Sequence, residues 1–158
     1  MNGIAFAIAA SAAALPASAA PPTTPVQTIS YETGPCFGAC PVYRVHVSSD
    51  GSGRFEGIRF TAVTGPRQFR ATYEQYRAFA RRLEPVRPAR GSVRYEGRAC
   101  RTTATDLPSV EVTWRSPRGT QSLYFYHGCD MQRNRALARR LDAAPALLPI
   151  GDFIGHPR

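Results

Sequence analysis

The stretch Gly34-Pro35-Cys36-Phe37-Gly38-Ala39-Cys40-Pro41-Val42-Tyr43 constrains the fold of this chain more than any other segment. Pro35 and Pro41 fix their own φ and lack a backbone donor, so neither cysteine can lie inside a regular helix. Each proline also pushes the residue before it, Gly34 and Cys40, away from the helical region. The segment therefore reads as a compact loop feeding directly into a strand.

Two further cysteines, Cys100 and Cys129, bring the count to four. An even number in an exported chain implies disulfides, and four cysteines allow three connectivities. The expected pairing is Cys36–Cys40, which share one loop, and Cys100–Cys129, which would clamp a long loop to the start of a helix. In the chain-entropy model the longer loop contributes about 3.6 kcal/mol and the shorter about 2 kcal/mol.

Export is read from the first residues. Positions 1–19 form an uncharged, alanine-rich apolar run ending in Ala17-Ser18-Ala19, the pattern of a secretory h-region with a small-residue cleavage site before Ala20. No arginine or lysine precedes the run, so the amino terminus alone supplies its positive charge. Pro16 and the small-residue ending argue against a membrane helix. Residues 20–28 read as a flexible Pro/Thr-rich leader and 29–158 as one domain, large enough to bury its own core. The expected location is periplasmic or secreted, with no transmembrane segment in the mature chain.

Alternation marks the strands. Tyr43, Val45 and Val47 point one way from Pro41 to Ser49, and Asp50-Gly51-Ser52-Gly53 turns the chain into a hairpin. On the return strand, Arg54 to Thr61, Phe55 and then Ile58 and Phe60 fall out of phase. An inserted residue at Glu56-Gly57, a β-bulge, would bring all three to one face. Thr72 and Gln75 form a capping box ahead of Tyr76, Phe79, Ala80 and Leu83, which recur at helical spacing.

Pro85 to Pro108 is irregular, with a short strand over Val93–Gly97. A second hairpin places Val110, Val112 and Trp114 opposite Leu123 and Phe125. Asp130 is the expected cap of a second helix running to about Asp142, and Leu147, Leu148, Ile150, Phe153 and Ile154 would pack back on the sheet. The predicted class is α+β: an antiparallel sheet of two hairpins with two helices packed on one face, a two-layer sandwich.

Charge bears on partners. All 20 cationic residues are arginine, and the formal net charge is +9. Arg87, Arg90, Arg94, Arg98 and Arg101 are the candidate anion-binding set, suited to an anionic envelope component. The other arginines are scattered, as expected of a solvated surface, and nucleic acid is not the expected partner. Another protein is the alternative partner.

Catalytic patterns are sparse. There is no G-x-S-x-G, no phosphate-cradling glycine loop and no cluster of paired carboxylates. His127 is a candidate base with Asp130 to orient it, although helix capping accounts for Asp130 without chemistry. A thiol-redox role for Cys36 and Cys40 lacks the helix N-terminus that usually lowers a thiol pKa. A zinc site from Cys36, Cys40, His127 and Cys129 has the right ligand types but not the usual two-residue gap. No cofactor is implied. The residues converge on a disulfide-stabilised binding module without catalytic activity, with a periplasmic thiol-redox or zinc-binding protein as the alternative.

Cys36-Phe37-Gly38-Ala39-Cys40-Pro41-Val42-Tyr43, followed by Asp50-Gly51 and Phe55-Glu56-Gly57, resembles a bacterial family of secreted domains of unknown function. Its signature is Cys-Phe-Gly-x-Cys-Pro-x-Tyr, a D-G turn and an aromatic-x-Gly return strand. Thr105-Asp106-Leu107-Pro108 fits the same pattern, so the resemblance runs from about Ile29 to Phe153. It implies no activity. It suggests that Cys100 and Cys129 add a second bridge beyond the shared front pair.

Overall fold

The computed structural model describes residues 26–155; the expected signal peptide and most of the leader lie outside the described residues. Seven strands form one sheet: β1 Thr28–Thr33, β2 Val42–Ser48, β3 Ser52–Arg59, β4 Gly65–Arg70, β5 Gly91–Tyr95, β6 Ser109–Ser116 and β7 Gly119–Tyr126. Their spatial order is β4-β3-β2-β1-β6-β7-β5. Every neighbouring pair is antiparallel except β5 with β7. Three α-helices are described: α1 Tyr73–Leu83, α2 Arg135–Asp142 and the short α3 Gly151–Ile154. The mixed α+β class stands, but the expected two hairpins and two helices undercount the elements.

β1, outside the expected hairpins, is the central strand of the sheet. Ile29 and Tyr31 face the core and sit at 1% and 2% exposure, while Glu32 lies on the other face. The strand pairs with β2 on one side and with β6 on the other, placing Tyr31 between Val45 and Val112. Thr28, the expected end of the flexible leader, is its first residue.

Alternation then places the core. Val45, Val47, Phe55, Val110, Val112, Trp114, Leu123 and Phe125 are buried along with Tyr76, Phe79, Leu83 and Leu141 from the helices. Residues of opposite parity form a polar face, where Arg44 pairs with Glu32 at 2.9 Å and lies 3.8 Å from Glu56. The capping box of α1 is present as expected: Gln75 N donates to Thr72 Oγ1, and Thr72 N donates to Gln75 Oε1.

Two local expectations are corrected. The register does slip on β3, with Val42 opposite Arg59 and Tyr43 opposite Gly57, so Ile58 is the inserted residue. The slip does not return Ile58 and Phe60 to the core; they are 43% and 51% exposed, and Phe60 adopts φ 56°. The returning loop explains this. A Cβ at Gly57 would lie 1.8 Å from the Val63 carbonyl oxygen, so the loop after β3 already fills the space beside it. Ala62 and Val63 then donate to the carbonyls of Ile154 and Phe153, tying that loop to α3. Asp130 is the second correction. Asn134, not Asp130, occupies the N-cap position of α2, and the carboxylate of Asp130 turns elsewhere.

These placements predict opposite outcomes for two neighbouring apolar residues. Phe55→Ala should cost about 3–5 kcal/mol by urea unfolding, from lost burial plus a cavity. Ile58→Ala should stay within about 0.5 kcal/mol. Comparable losses at the two positions would contradict the register.

Candidate functional site

The chain's special loops gather where β1 ends, β2 and β6 begin and β7 ends. The loop from Gly34 to Pro41 is fixed there at several points. Gly34 N donates to Ser109 O at 2.8 Å, and Phe37 N donates to Asp106 O at 3.0 Å. Thr33 Oγ1 donates to Pro41 O and accepts from Tyr43 N, at 2.8 and 3.0 Å. Cys36 and Cys40 are disulfide-bonded across the loop, with Cα atoms 5.8 Å apart. Phe37, at the tip, remains 87% exposed. A phenyl ring is thus carried into solvent by backbone that is bonded and cross-linked on both sides.

Beneath the loop lies a hollow of about 240 Å³, lined by Tyr31, Cys40, Tyr43, Ser109, His127 and Asp142 among others. Its aromatic wall is continuous with the core: Tyr31 stacks on Tyr43 at 6.3 Å, Tyr43 on Phe55 at 5.5 Å, and Phe153 closes on Phe55 at 5.5 Å. Tyr31 OH donates to the Leu141 carbonyl at 3.1 Å, attaching the end of α2 to the central strand. Burial pushes both phenols well up from their ordinary pKa, with the Asp142 carboxylate adding to the effect, so both stay neutral.

His127 Nε2 stands 3.3 Å from Asp142 Oδ1. Burial raises the Asp142 pKa above the usual carboxylate value, and the nearby His127 opposes the shift. The partner expected for His127 was Asp130, next in line after Gly128 and Cys129. The fold supplies Asp142 instead, from the far end of α2. Ser109 lines the same hollow, but among the described residues no hydrogen bond joins its hydroxyl to His127; the serine–histidine contact that does form, Ser30 Oγ with His46 Nδ1 at 2.7 Å, lies on the other face of the sheet, away from this hollow. The arrangement can bind polar groups at an aromatic-walled mouth. It does not assemble a nucleophile.

The second bridge, Cys100–Cys129, has a Cα separation of 5.2 Å and closes the long loop as expected. Asp130 reinforces it. Its Oδ1 accepts from Arg101 N at 3.0 Å, Thr102 N at 2.8 Å and Thr102 Oγ1 at 3.2 Å, and its own N donates to Thr102 O at 2.9 Å. Those backbone donors, Thr102 foremost and then Arg101, hold its carboxyl below the usual range. The carboxylate therefore secures a disulfide-linked segment. With all four sulfurs paired, Cys36, Cys40, His127 and Cys129 do not form a ligand set, and no group of three potential ligands stands together among the described residues.

The five arginines do not share a face. Arg87 is half-buried, with Nε and Nη2 on Gln121 Oε1 at 3.1 and 2.6 Å, and its guanidinium lies 6.0 Å from the Trp114 ring centroid. Arg94 pairs with Glu96 and covers the Tyr124 ring at 4.1 Å. Gln121 and Tyr124 differ in parity along β7, so these two cations lie on opposite faces of the sheet. Arg90, Arg98 and Arg101 are exposed and make no ion pair among the described residues.

Residues 27–145 match the model of a domain of unknown function, DUF6438, and the chain belongs to that family. No curated protein and no solved structure shows significant similarity to it. The match covers the sheet, both bridges and the His127–Asp142 pair, and stops before α3.

The raised pKa of Asp142 has a signed consequence. A carboxyl group whose folded pKa exceeds its unfolded value favours the native state most below the unfolded pKa, and that benefit is lost as pH rises through the folded pKa. Asp142→Asn removes the loss. Its stability relative to the parent should therefore rise from acid pH and level off above the folded pKa, by a small amount because the side chain is 57% exposed. Urea midpoints across that pH range check this, and a variant whose relative stability instead falls toward neutral pH would contradict it.

Proposed function

We propose that this protein is an exported, disulfide-stapled binding module that engages another protein through the loop end of its sheet, without catalysis of its own. Phe37 carries the reading: an 87% exposed phenyl ring at the tip of a loop closed by the Cys36–Cys40 bridge. Exposed aromatic side chains held in place make effective interface anchors, because little conformational freedom is lost when they are buried by a partner.

The energetics of the bridge support that role. Closing so short a loop contributes only about 2 kcal/mol by chain entropy, so its main effect is local order. The exposed Ile58 and Phe60 stand at the same end of the sheet, since Arg59 pairs with Val42 just after the loop. Export rests on the apolar run before Ala20 and accords with the two bridges. No helix among the described residues is long and apolar enough to cross a membrane. The domain is read as two-layered, with helices behind one sheet face. Arg90, Arg98 and Arg101 are the part of the arginine stretch still offered to an anionic envelope component.

A photo-crosslinking residue at position 37, introduced into the full chain in its native cell, tests the reading. Crosslinked material should come from outside the cytoplasm with its amino terminus at Ala20. A discrete adduct should form from position 37 and fade when Cys36 and Cys40 are both replaced by alanine. The same probe at Tyr73, 63% exposed on α1, should give none. No adduct at 37, equal adducts at both positions, or intact protein in the cytoplasm would each overturn the proposal.

A further inference from the structure

A second hollow shares Pro108 and His127 with the first. Its volume is about 280 Å³, and Leu107, Pro108, Phe125, Met131 and Ala138 make its apolar surface. Its remaining lining residues are His127, Gln132, Arg135 and Arg139, with no aspartate or glutamate among them. Arg135 opens α2 and Arg139 stands one helical turn further on, in its last turn, and neither makes an ion pair among the described residues.

The helix adds to that positive field. Asn134, at the N-cap, does not cap α2 with its side chain; its Nδ2 donates instead to the Cys129 carbonyl at 2.8 Å. Arg135, the first residue of α2, lines the hollow and donates through Nη2 to Gln132 Oε1, another lining residue, and a helix amino terminus favours negative charge. An apolar floor beside two guanidiniums is complementary to a molecule that is apolar at one end and anionic at the other.

We propose that this hollow binds a small amphiphilic carboxylate, with its hydrocarbon body against Leu107, Phe125 and Met131 and its carboxylate on Arg135 and Arg139. Planar guanidiniums match a carboxylate in geometry as well as charge. The volume, just below the usual range for small-molecule sites, sets the size at a medium-length chain or a single aromatic ring. The proposal stands independently of the role assigned to Phe37, because it uses different residues and a different ligand.

Isothermal titration of the full chain with decanoate, kept at monomeric concentrations, tests it. Decanoate should bind saturably at one per chain, and decanol, which keeps the chain but loses the charge, should bind at least tenfold more weakly. The double variant R135Q/R139Q should weaken decanoate at least tenfold while its melting temperature stays with the parent. R77Q/R81Q, which changes two exposed arginines on α1 and so the same net charge, should bind like the parent. Ala138→Trp, which fills the half-buried floor, should also abolish binding. Absent or non-saturable binding, equal affinity for decanol, or equal losses in the two arginine pairs would overturn the proposal.

Discussion

The structure depends on β1, a six-residue strand with two antiparallel partners. Without it the β2–β3–β4 meander and the β6–β7 hairpin would each carry an unpaired edge and an apolar face too small to hold a fold alone. With it, Ile29 and Tyr31 join two stretches of chain some 65 residues apart, from Tyr31's partner Val45 to Val112. Tyr31 does more than fill space. Its hydroxyl bonds to the Leu141 carbonyl across 110 residues, so one side chain sets both the centre of the sheet and the end of α2. Asp142 follows Leu141 directly, which is how the carboxylate comes to face His127.

The same frame explains why both bridges and the exposed aromatic tip collect at one end. Both bridges attach to segments leaving the sheet there, Cys36–Cys40 just before β2 and Cys129 just after β7. The Asp106 carbonyl, on a residue at φ 67°, reaches the Phe37 amide, so the loop that approaches β6 also braces the loop that approaches β2. Stability and presentation are thus divided. The Cys100–Cys129 bridge and Asp130 secure a long connection, while the shorter bridge fixes the shape of an exposed tip.

Much of this was legible in the residues. Alternation located β2, β6 and β7, because each has one apolar face and one polar face. The Thr72–Gln75 box located α1, because both of its bonds are local. The disulfide pairing was legible from loop membership alone. What escaped depended on distant partners. Thr28–Thr33 alternates correctly, but it adjoins a proline-rich leader and its second partner lies about 80 residues on. Gly65–Arg70 has Phe69 as its one aromatic residue and sits at the sheet edge, where a polar strand is normal. β5, expected as a short strand over Val93–Gly97, runs Gly91–Tyr95, but its parallel pairing with β7 has no turn signal to betray it. Ile58 and Phe60 misled because an alternating apolar pattern cannot reveal that the Val63 carbonyl already occupies the space beside Gly57. The His127–Asp142 pair was hidden for a related reason: the sequence neighbour Asp130 is claimed by backbone donors at 101 and 102.

If the Cys36–Cys40 loop is a preformed presenter of Phe37, its backbone is held as firmly as the sheet behind it. Backbone 15N relaxation measures this directly on the picosecond–nanosecond scale. The Phe37 amide, bonded to the Asp106 carbonyl at 3.0 Å, should show an order parameter near the ~0.85 of rigid backbone, and it should fall when the bridge is reduced. A value below about 0.6 in the oxidised protein would contradict the account.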